Sequence, residues 1–170
     1  MLDIDPKGDI DIALDARLLH TLPGANYDAV YCSHNLEHYH RHDGLAVLRG
    51  MHHVLKSDGF LEVRVPDVGE VMRLAIQNQL DLDDVLYQSS MGPILLRDVL
   101  WGCHAEIERS GRDYYAHKTG FTLKSLVEFV SPIGFPIHAS RQANLEIAVI
   151  FFKQSPTEEQ TRLLGLKFPT

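Results

Sequence analysis

The sequence has few cysteines and no long apolar run. Cys32 and Cys103 are its two cysteines, which argues against a disulfide-stabilised scaffold and favours reduced thiols in a cytoplasmic protein. No stretch approaches the ~20 consecutive apolar residues of a transmembrane helix. The opening stretch, MLDIDPKGDID, is acidic and poor in apolar side chains, so no signal peptide is expected there. We therefore expect a cytoplasmic protein with no membrane partner.

The sequence also lacks the excess of positive charge that attracts nucleic acid. It carries 16 Lys and Arg against 23 Asp and Glu, for a net charge of −7, so a phosphate backbone is not an expected partner. With 45% hydrophobic and 23% charged residues, the composition is that of an ordinary globular protein. The length suits one domain. We place the domain at residues 1–153 and a polar tail at 154–170.

Short apolar runs alternate with helical patterns along the chain. The runs predict strands at Leu2–Ile4, Ile10–Leu14, Ala29–Cys32, Phe60–Val65, Ile137–Ser140 and Leu145–Phe152. Helices are predicted after Asp43, from Asp67 to about Leu80, within Ile94–Glu108, and from Thr122 to about Val130. Alternating strands and helices predict an α/β fold with a mostly parallel sheet.

Several local signals make these predictions specific. Ala29–Cys32 is compact and β-prone, as in a central strand that is buried on both faces. Asp43 is a good N-cap for the helix after it, and Gly59 can end that helix in a left-handed conformation. Asp67 and Glu70 have capping-box spacing, and Thr122 is the expected cap of the helix that it begins.

Four histidines lie within nine positions after the third run: His34, His38, His40 and His42. His34 and His38 have the i, i+4 spacing of a helical zinc site. A strand-to-helix loop is rarely helical at that point, however, and no companion Cys or His cluster follows, so no metal is expected. A second interpretation is a solvated loop whose histidines bond to the backbone.

A third interpretation depends on position. Ligands of open parallel sheets bind at the carboxyl ends of the strands. Asp3 or Asp5, Asp15, and the pair Ser33-His34 each follow a predicted strand. One carboxylate can accept both hydroxyls of a ribose, and another can accept an adenine amino group. Together these residues favour a nucleoside-like ligand, although each alone is equally consistent with a solvated loop or a helix cap.

The middle of the chain resembles a known family. The motifs YDAV, SHNLEH at Ser33 to His38, LKSDG, and VPD ending at Asp67, with the later run YYAHKTGFTLKSLVEFVSPIGF, are similar to class I S-adenosylmethionine-dependent methyltransferases of type 11. The resemblance covers about residues 1–153. It implies a doubly wound, Rossmann-like, mostly parallel sheet with one antiparallel strand near the C-terminus.

The resemblance also implies a cofactor, S-adenosyl-L-methionine, and roles for individual residues. Asp3 would hold the ribose, Asp15 and Ala16 the adenine, and Ser33 and His34 the methionine end. His34 or His117 would serve as a catalytic base. The methyl acceptor would be a small molecule or a glycan-type compound, and the histidine signature would not ligate metal.

One part of the family pattern is absent. The glycine-rich turn Gly-x-Gly-x-Gly, which lets backbone approach the cofactor closely, has no counterpart here, and Asp3 aligns with the acid that closes the family's second strand. The resemblance therefore implies a sheet that is incomplete at the N-terminus, a truncated form with weak or absent cofactor binding. The alternative is a non-catalytic remnant that acts in assembly or regulation, with a homodimer covering the open strand edge.

Overall fold

A computed structural model describes residues 1–5, 9–90 and 92–166. Its strands are β1 (Leu2–Asp3), β2 (Ile12–Ala13), β3 (Tyr27–Ser33), β4 (Leu55–Pro66), β5 (Val85–Ser89), β6 (Gly92–Leu95), β7 (Ile137–Ala143) and β8 (Glu146–Phe152). Its α-helices are α1 (Arg41–Val54), α2 (Val68–Gln77), α3 (Leu96–Trp101), α4 (His104–Ser110), α5 (Leu123–Val130) and α6 (Glu158–Leu163). Short 3₁₀ helices cover Ala16–Thr21, Leu36–His38, Asp113–Tyr115 and Ser131–Ile133.

The main sheet has four strands in the order β3-β4-β8-β7. β3 pairs parallel with β4, whereas β8 runs antiparallel to both of its neighbours. Three of the four strands thus share one direction and one opposes them. β1 and β2 form a separate parallel pair, and both are shorter than the sequence predicts. The α/β fold with one antiparallel strand near the C-terminus, and a sheet that is incomplete on the N-terminal side, is confirmed.

β3 is one of the two edge strands of the main sheet among the described residues, and β7 is the other. It extends the predicted run, but the prediction that Ala29–Cys32 is buried on both faces is wrong. Cys32 is buried, whereas Ala29 is exposed and Tyr31 keeps 60% of its surface accessible. The physical reason is the edge position: β3 pairs on one side only, with β4.

Helix α1 begins before the residue that was expected to cap it. His40 is its N-cap, and Asp43 lies in its first turn, where a carboxylate stabilises the free amides through the helix dipole. Gly59 does not end the helix in a left-handed conformation. It lies within β4, near the register shift between β3 and β4, where a side chain would crowd Leu55 and the Asp28 carbonyl.

The other two predicted caps are confirmed. Asp67 accepts a hydrogen bond from the Glu70 amide at 3.1 Å and opens α2. Thr122 and Ser125 form a capping box at the start of α5. Helix α5 contributes Leu126, Phe129 and Val130 to the main core, whereas Val71 of α2 packs in a second cluster with residues of α3.

The predicted helix within Ile94–Glu108 is only partly correct. Gly92–Leu95 is a strand that pairs antiparallel with β5, and two short helices follow it. Gly102 separates them with φ of +94°, a conformation that few residues other than glycine adopt.

The core lies between the main sheet and helices α1 and α5. Its fully buried members are aliphatic and aromatic, and include Leu36, Leu48, Leu61, Val63, Leu126, Phe129, Ile147 and Phe151. Among the described residues, no helix combines the length and the apolar character that crossing a bilayer requires. The domain division at residue 153 stays a prediction.

Candidate functional site at the carboxyl ends of the strands

The chain leaves β3 through a sharp turn at His34. Its φ is +46°, unusual for a residue with a side chain, and its N–H donates to the Arg64 carbonyl at 2.9 Å. The 3₁₀ turn that follows directs Leu36 and Glu37 inward, with 0% and 1% of their surfaces accessible. The Ser33-His34 pair therefore lies at the carboxyl end of β3, as the sequence predicts.

The His34 ring lies between two carboxylates. Nε2 is 3.1 Å from Oε2 of Glu146, and Nδ1 is 3.4 Å from Oε1 of Glu37. These carboxylates, Glu37 first, raise the pKa of His34 against the opposing effect of partial burial. A raised pKa favours the charged ring, whose Nε2 donates to Glu146 and whose Nδ1 is close enough to Glu37 for an ion pair but not for a hydrogen bond. Both ring nitrogens therefore face carboxylates, and the role of His34 as a base stays a prediction.

Glu37 brings the later segment to this turn. Its main-chain carbonyl accepts hydrogen bonds from the amides of Lys118 at 2.8 Å and Thr119 at 3.1 Å. His117 consequently lies beside His38, with ring centroids 4.8 Å apart in an edge-on arrangement. The two histidines come from segments nearly 80 residues apart in sequence.

The backbone fixes both of these histidine rings. Nδ1 of His38 is 3.1 Å from the Ala116 carbonyl, and Nδ1 of His117 is 2.9 Å from the Val99 carbonyl. Because a carbonyl oxygen can only accept, Nδ1 carries the proton in each ring. Burial lowers the pKa of His117, so its Nε2 keeps a free lone pair at neutral pH. This ring is better suited to accept a proton than His34.

Asp15 lies at the start of the 3₁₀ helix after β2. Its carboxylate accepts from the Arg17 amide at 2.9 Å and from the Arg17 side chain at 2.6 and 2.9 Å. The hydrogen bond from the Arg17 side chain is the main cause of a lowered Asp15 pKa. Ala16 is buried beside it. The carboxylate is therefore ionised and already paired, and its predicted contact with adenine stays a prediction.

Asp3 ends β1 and is exposed. Its Oδ1 accepts the Asp5 amide at 2.8 Å, while the Asp5 carboxylate binds Nη1 of Arg112 at 2.7 Å and the Tyr114 hydroxyl at 3.3 Å. These contacts join the end of β1 to the segment that precedes His117.

The structure thus brings some candidates together and leaves others apart. His34, His38 and His117 meet around Glu37, with Ser33 next in the chain. Among the described residues, no hydrogen bond or ion pair joins Asp3 or Asp15 to that group, although the Asp5 to Arg112 ion pair links β1 to the segment that precedes His117. Sequence reasoning missed two residues, Glu37 and Glu146. Glu37 could have been found because it is an acid inside the SHNLEH motif. No sequence pattern around Glu146 indicates a functional role.

Comparisons with solved structures identify the fold. A methyltransferase from Archaeoglobus fulgidus described as SAM-dependent has a TM-score of 0.52 at 14% identity, over 89% of this chain and 74% of that protein. The 1,6-didemethyltoxoflavin-N1-methyltransferase of Burkholderia thailandensis, solved with S-adenosylhomocysteine bound, has a TM-score of 0.51 at 16% identity, over 85% and 50%. The PH0226 protein of Pyrococcus horikoshii gives 0.53 at 13% identity, over 84% and 61%.

No protein-family model and no curated protein sequence matches the chain. The chain spans less than two thirds of the length of most of the solved structures that it resembles. At these identities the likeness establishes the fold, which is that of class I S-adenosylmethionine-dependent methyltransferases.

Proposed function

We propose that this chain functions in a methyltransferase, which transfers a methyl group from S-adenosyl-L-methionine to a small-molecule or glycan-type acceptor. The observation that carries the proposal is that the candidate ligand residues follow the carboxyl ends of parallel strands. We call these positions, Asp3, Asp15, Ser33 and His34, the rim. Asp3 ends β1 and Asp15 follows β2 in the two-stranded sheet, whereas Ser33 ends β3 of the main sheet and His34 follows it. In open α/β sheets this edge is where ligands bind.

The residues on the rim suit the parts of the cofactor. The carboxylate of Asp3 can accept hydrogen bonds from the ribose hydroxyls, and Asp15 with Ala16 can flank the adenine. The hydroxyl of Ser33 can donate to the carboxylate of the methionine end, with His34 beside it. The B. thailandensis protein of the same fold was solved with the homocysteine product of this cofactor, which supports the choice.

The chemistry needs little from the protein beyond placement. Methyl transfer is an in-line displacement in which the acceptor atom attacks the sulfonium methyl group, so proximity and orientation supply most of the acceleration. A hydroxyl acceptor also has to lose a proton. His117 suits that task because Nδ1 is held by the Val99 carbonyl and the lowered pKa leaves Nε2 unprotonated.

Calorimetric titration with S-adenosylhomocysteine tests cofactor binding directly. Wild-type protein is expected to release heat with one site per chain, and Asp3→Asn is expected to weaken binding about tenfold, the loss of one charge-assisted hydrogen bond. Asp58→Asn removes an exposed charge elsewhere on the surface and is expected to leave binding unchanged. A folded sample that shows no heat at millimolar ligand would overturn the proposal for this chain.

A second candidate function is assembly without catalysis, and the open edge of β3 favours it. Unpaired backbone groups and the exposed Tyr31 lie along this edge, and an edge of that kind pairs readily with another strand. In this alternative a second copy of the chain covers the edge in a homodimer. Light scattering separates the two functions: a monomer that binds S-adenosylhomocysteine supports the enzyme, and a dimer that does not bind it supports assembly.

A further inference from the structure

We propose that Glu37, His38 and His117 form a binding site for a divalent transition-metal ion, with Zn²⁺ as the reference ion. One ligand atom from each residue lies within 4.8 Å of the other two. Two imidazole nitrogens and one carboxylate oxygen are a common donor set for zinc in sites that keep a position open for water or substrate. The sequence predicts no metal here, because the loop after β3 is not expected to be helical and no companion Cys or His cluster follows it. His117 comes from a distant segment, which sequence spacing does not reveal.

The two histidines are arranged as metal-bound histidines usually are. A ligating histidine donates its other ring N–H to a carbonyl or a carboxylate, which fixes both the tautomer and the ring orientation. His38 and His117 each make that hydrogen bond, to the carbonyls of Ala116 and Val99. In both rings the unprotonated Nε2 is left as the ligand atom.

Glu37 supplies the independent observation that points to a ligand. Its side chain is 1% accessible, and neither carboxylate oxygen accepts a hydrogen bond from any described residue. His34 is the nearby cation, but its Nδ1 is 3.4 Å away and lies outside hydrogen-bond geometry. A buried carboxylate without hydrogen bonds is unfavourable. A bound cation among the three side chains would compensate it.

The spacing of the three ligand atoms is close to the spacing that a bound metal ion requires. Ligand atoms around a tetrahedral ion with bonds of about 2.1 Å lie about 3.4 Å apart, so atoms up to 4.8 Å apart would have to approach by up to about 1.4 Å. A shift of the Glu37 side chain, whose carboxylate accepts no hydrogen bond from the described residues, would shorten its distances to the two rings without breaking their hydrogen bonds to the main chain. Both histidines are half-buried, which leaves a route for the ion from solvent.

Metal binding and the base role of His117 exclude each other, because both use the lone pair of Nε2. The metal site therefore goes beyond the proposed methyltransferase function and does not depend on it. An ion held by Glu37 would lie near His34, whose Nδ1 is 3.4 Å from Oε1 of Glu37. An ion there would bind a hydroxyl oxygen of an acceptor and lower its pKa.

The test is a zinc titration of chelator-treated wild-type protein, followed by calorimetry and by competition with a chromophoric chelator. We expect one ion per chain with a micromolar or lower Kd and a higher Tm in the presence of zinc. Glu37→Gln, His38→Ala and His117→Ala are each expected to weaken binding by 100-fold or more. Replacing zinc with Co²⁺ should give the visible absorption of a four-coordinate N/O site in wild type and in none of these three variants.

The control is His42→Ala, because His42 lies in the same histidine-rich stretch but is exposed. It should bind zinc as wild type does. Thermal unfolding of each metal-free variant establishes that it folds, and Glu37→Gln keeps the shape of the side chain. Absent binding, or binding that His42→Ala weakens as much as the three ligand variants, would overturn the proposal. Titrating S-adenosylhomocysteine into metal-free protein keeps the two functions separate, because either binding can fail without the other.

Discussion

Gly102 packs directly against the main chain of Tyr115. A Cβ atom at position 102 would overlap the Tyr115 carbonyl oxygen, and the φ of +94° at Gly102 is itself unfavourable for any other residue. Ala116 pairs with Gly102 in an isolated bridge, and the His117 amide donates to the Trp101 carbonyl at 3.0 Å. This close approach holds His117 in the histidine cluster.

Gly102→Ala is therefore expected to lower the free energy of unfolding by about 3 kcal/mol, the sum of backbone strain and steric overlap. Gly111→Ala is the matched control. It also has a positive φ, of +66°, but a Cβ there meets no atom within 4 Å, so a loss of about 1 kcal/mol is expected. Urea denaturation measures both, and equal losses would contradict the role of the overlap.

Asp67 connects a helix cap to the last hairpin. Its Oδ1 accepts the Glu70 amide, its Oδ2 accepts Nε2 of Gln142 at 2.7 Å, and its side chain is buried. Asp67→Ala is expected to destabilise the protein by about 2 kcal/mol, because a cap and a buried hydrogen bond are lost together. A double-mutant cycle with Gln142→Ala should give a coupling free energy of about 1 kcal/mol, and a value of zero would rule out the contact.

The two cysteines are expected to react at very different rates. Burial, with a smaller contribution from the charge of Glu37, raises the pKa of Cys32 to about 12, so its thiolate fraction at pH 8 is on the order of 10⁻⁴. Cys103 is exposed. Mass spectrometry after brief iodoacetamide treatment should find Cys103 modified and Cys32 intact, and Cys103→Ser should remain unmodified until denaturant is added. Early labelling of Cys32 would show that β3 opens in the native state.

Asp15 is expected to make the free energy of unfolding depend on pH in the acid range. Arg17 lowers the folded-state pKa of Asp15 below its ordinary value of about 3.9, so the carboxylate contributes stability above the unfolded-state pKa and loses it as pH falls through the folded-state pKa. After allowance for solvent screening the contribution is roughly 0.5–1 kcal/mol.

We expect the difference in unfolding free energy between wild type and Asp15→Asn to be constant above about pH 5 and to shrink below about pH 4. Asp58→Asn provides a charge-matched comparison without this pairing. A difference that does not change between pH 2 and pH 6 would show that the Arg17 pair adds nothing to stability.

The sequence predicts features that depend on local chemistry. The caps at Asp67 and Thr122 are confirmed because capping needs only a side-chain oxygen and an amide three residues later. The strand–helix order is confirmed for a similar reason, since each element carries its own periodicity. The antiparallel strand near the C-terminus is also confirmed, but it was implied by the family resemblance and not by a local signal. The expected left-handed Gly59 is wrong because pairing with β3 extends β4 through that residue.

Features that depend on distant contacts are not visible in the sequence. Tyr31 is exposed because β3 pairs with a neighbour on one side only among the described residues. The composition of the segment alone predicts a buried strand. The meeting of His38 with His117 depends on two backbone hydrogen bonds to the Glu37 carbonyl. The hairpin of β5 and β6 was missed because Ile94, Leu95 and Leu96 continue a helical pattern that Gly92 and Pro93 interrupt only at its start.

The direction of β8 has a consequence for how the rim can change. An antiparallel strand delivers its first residue, and not its last, to the edge where the parallel strands end. Glu146 therefore reaches His34 directly after a two-residue turn in which Asn144 and Leu145 both have positive φ. Lengthening or shortening that turn would alter the charge beside His34 while the parallel strands keep their register. The hairpin tip is thus a natural place for related sequences to vary ligand preference at little cost to folding.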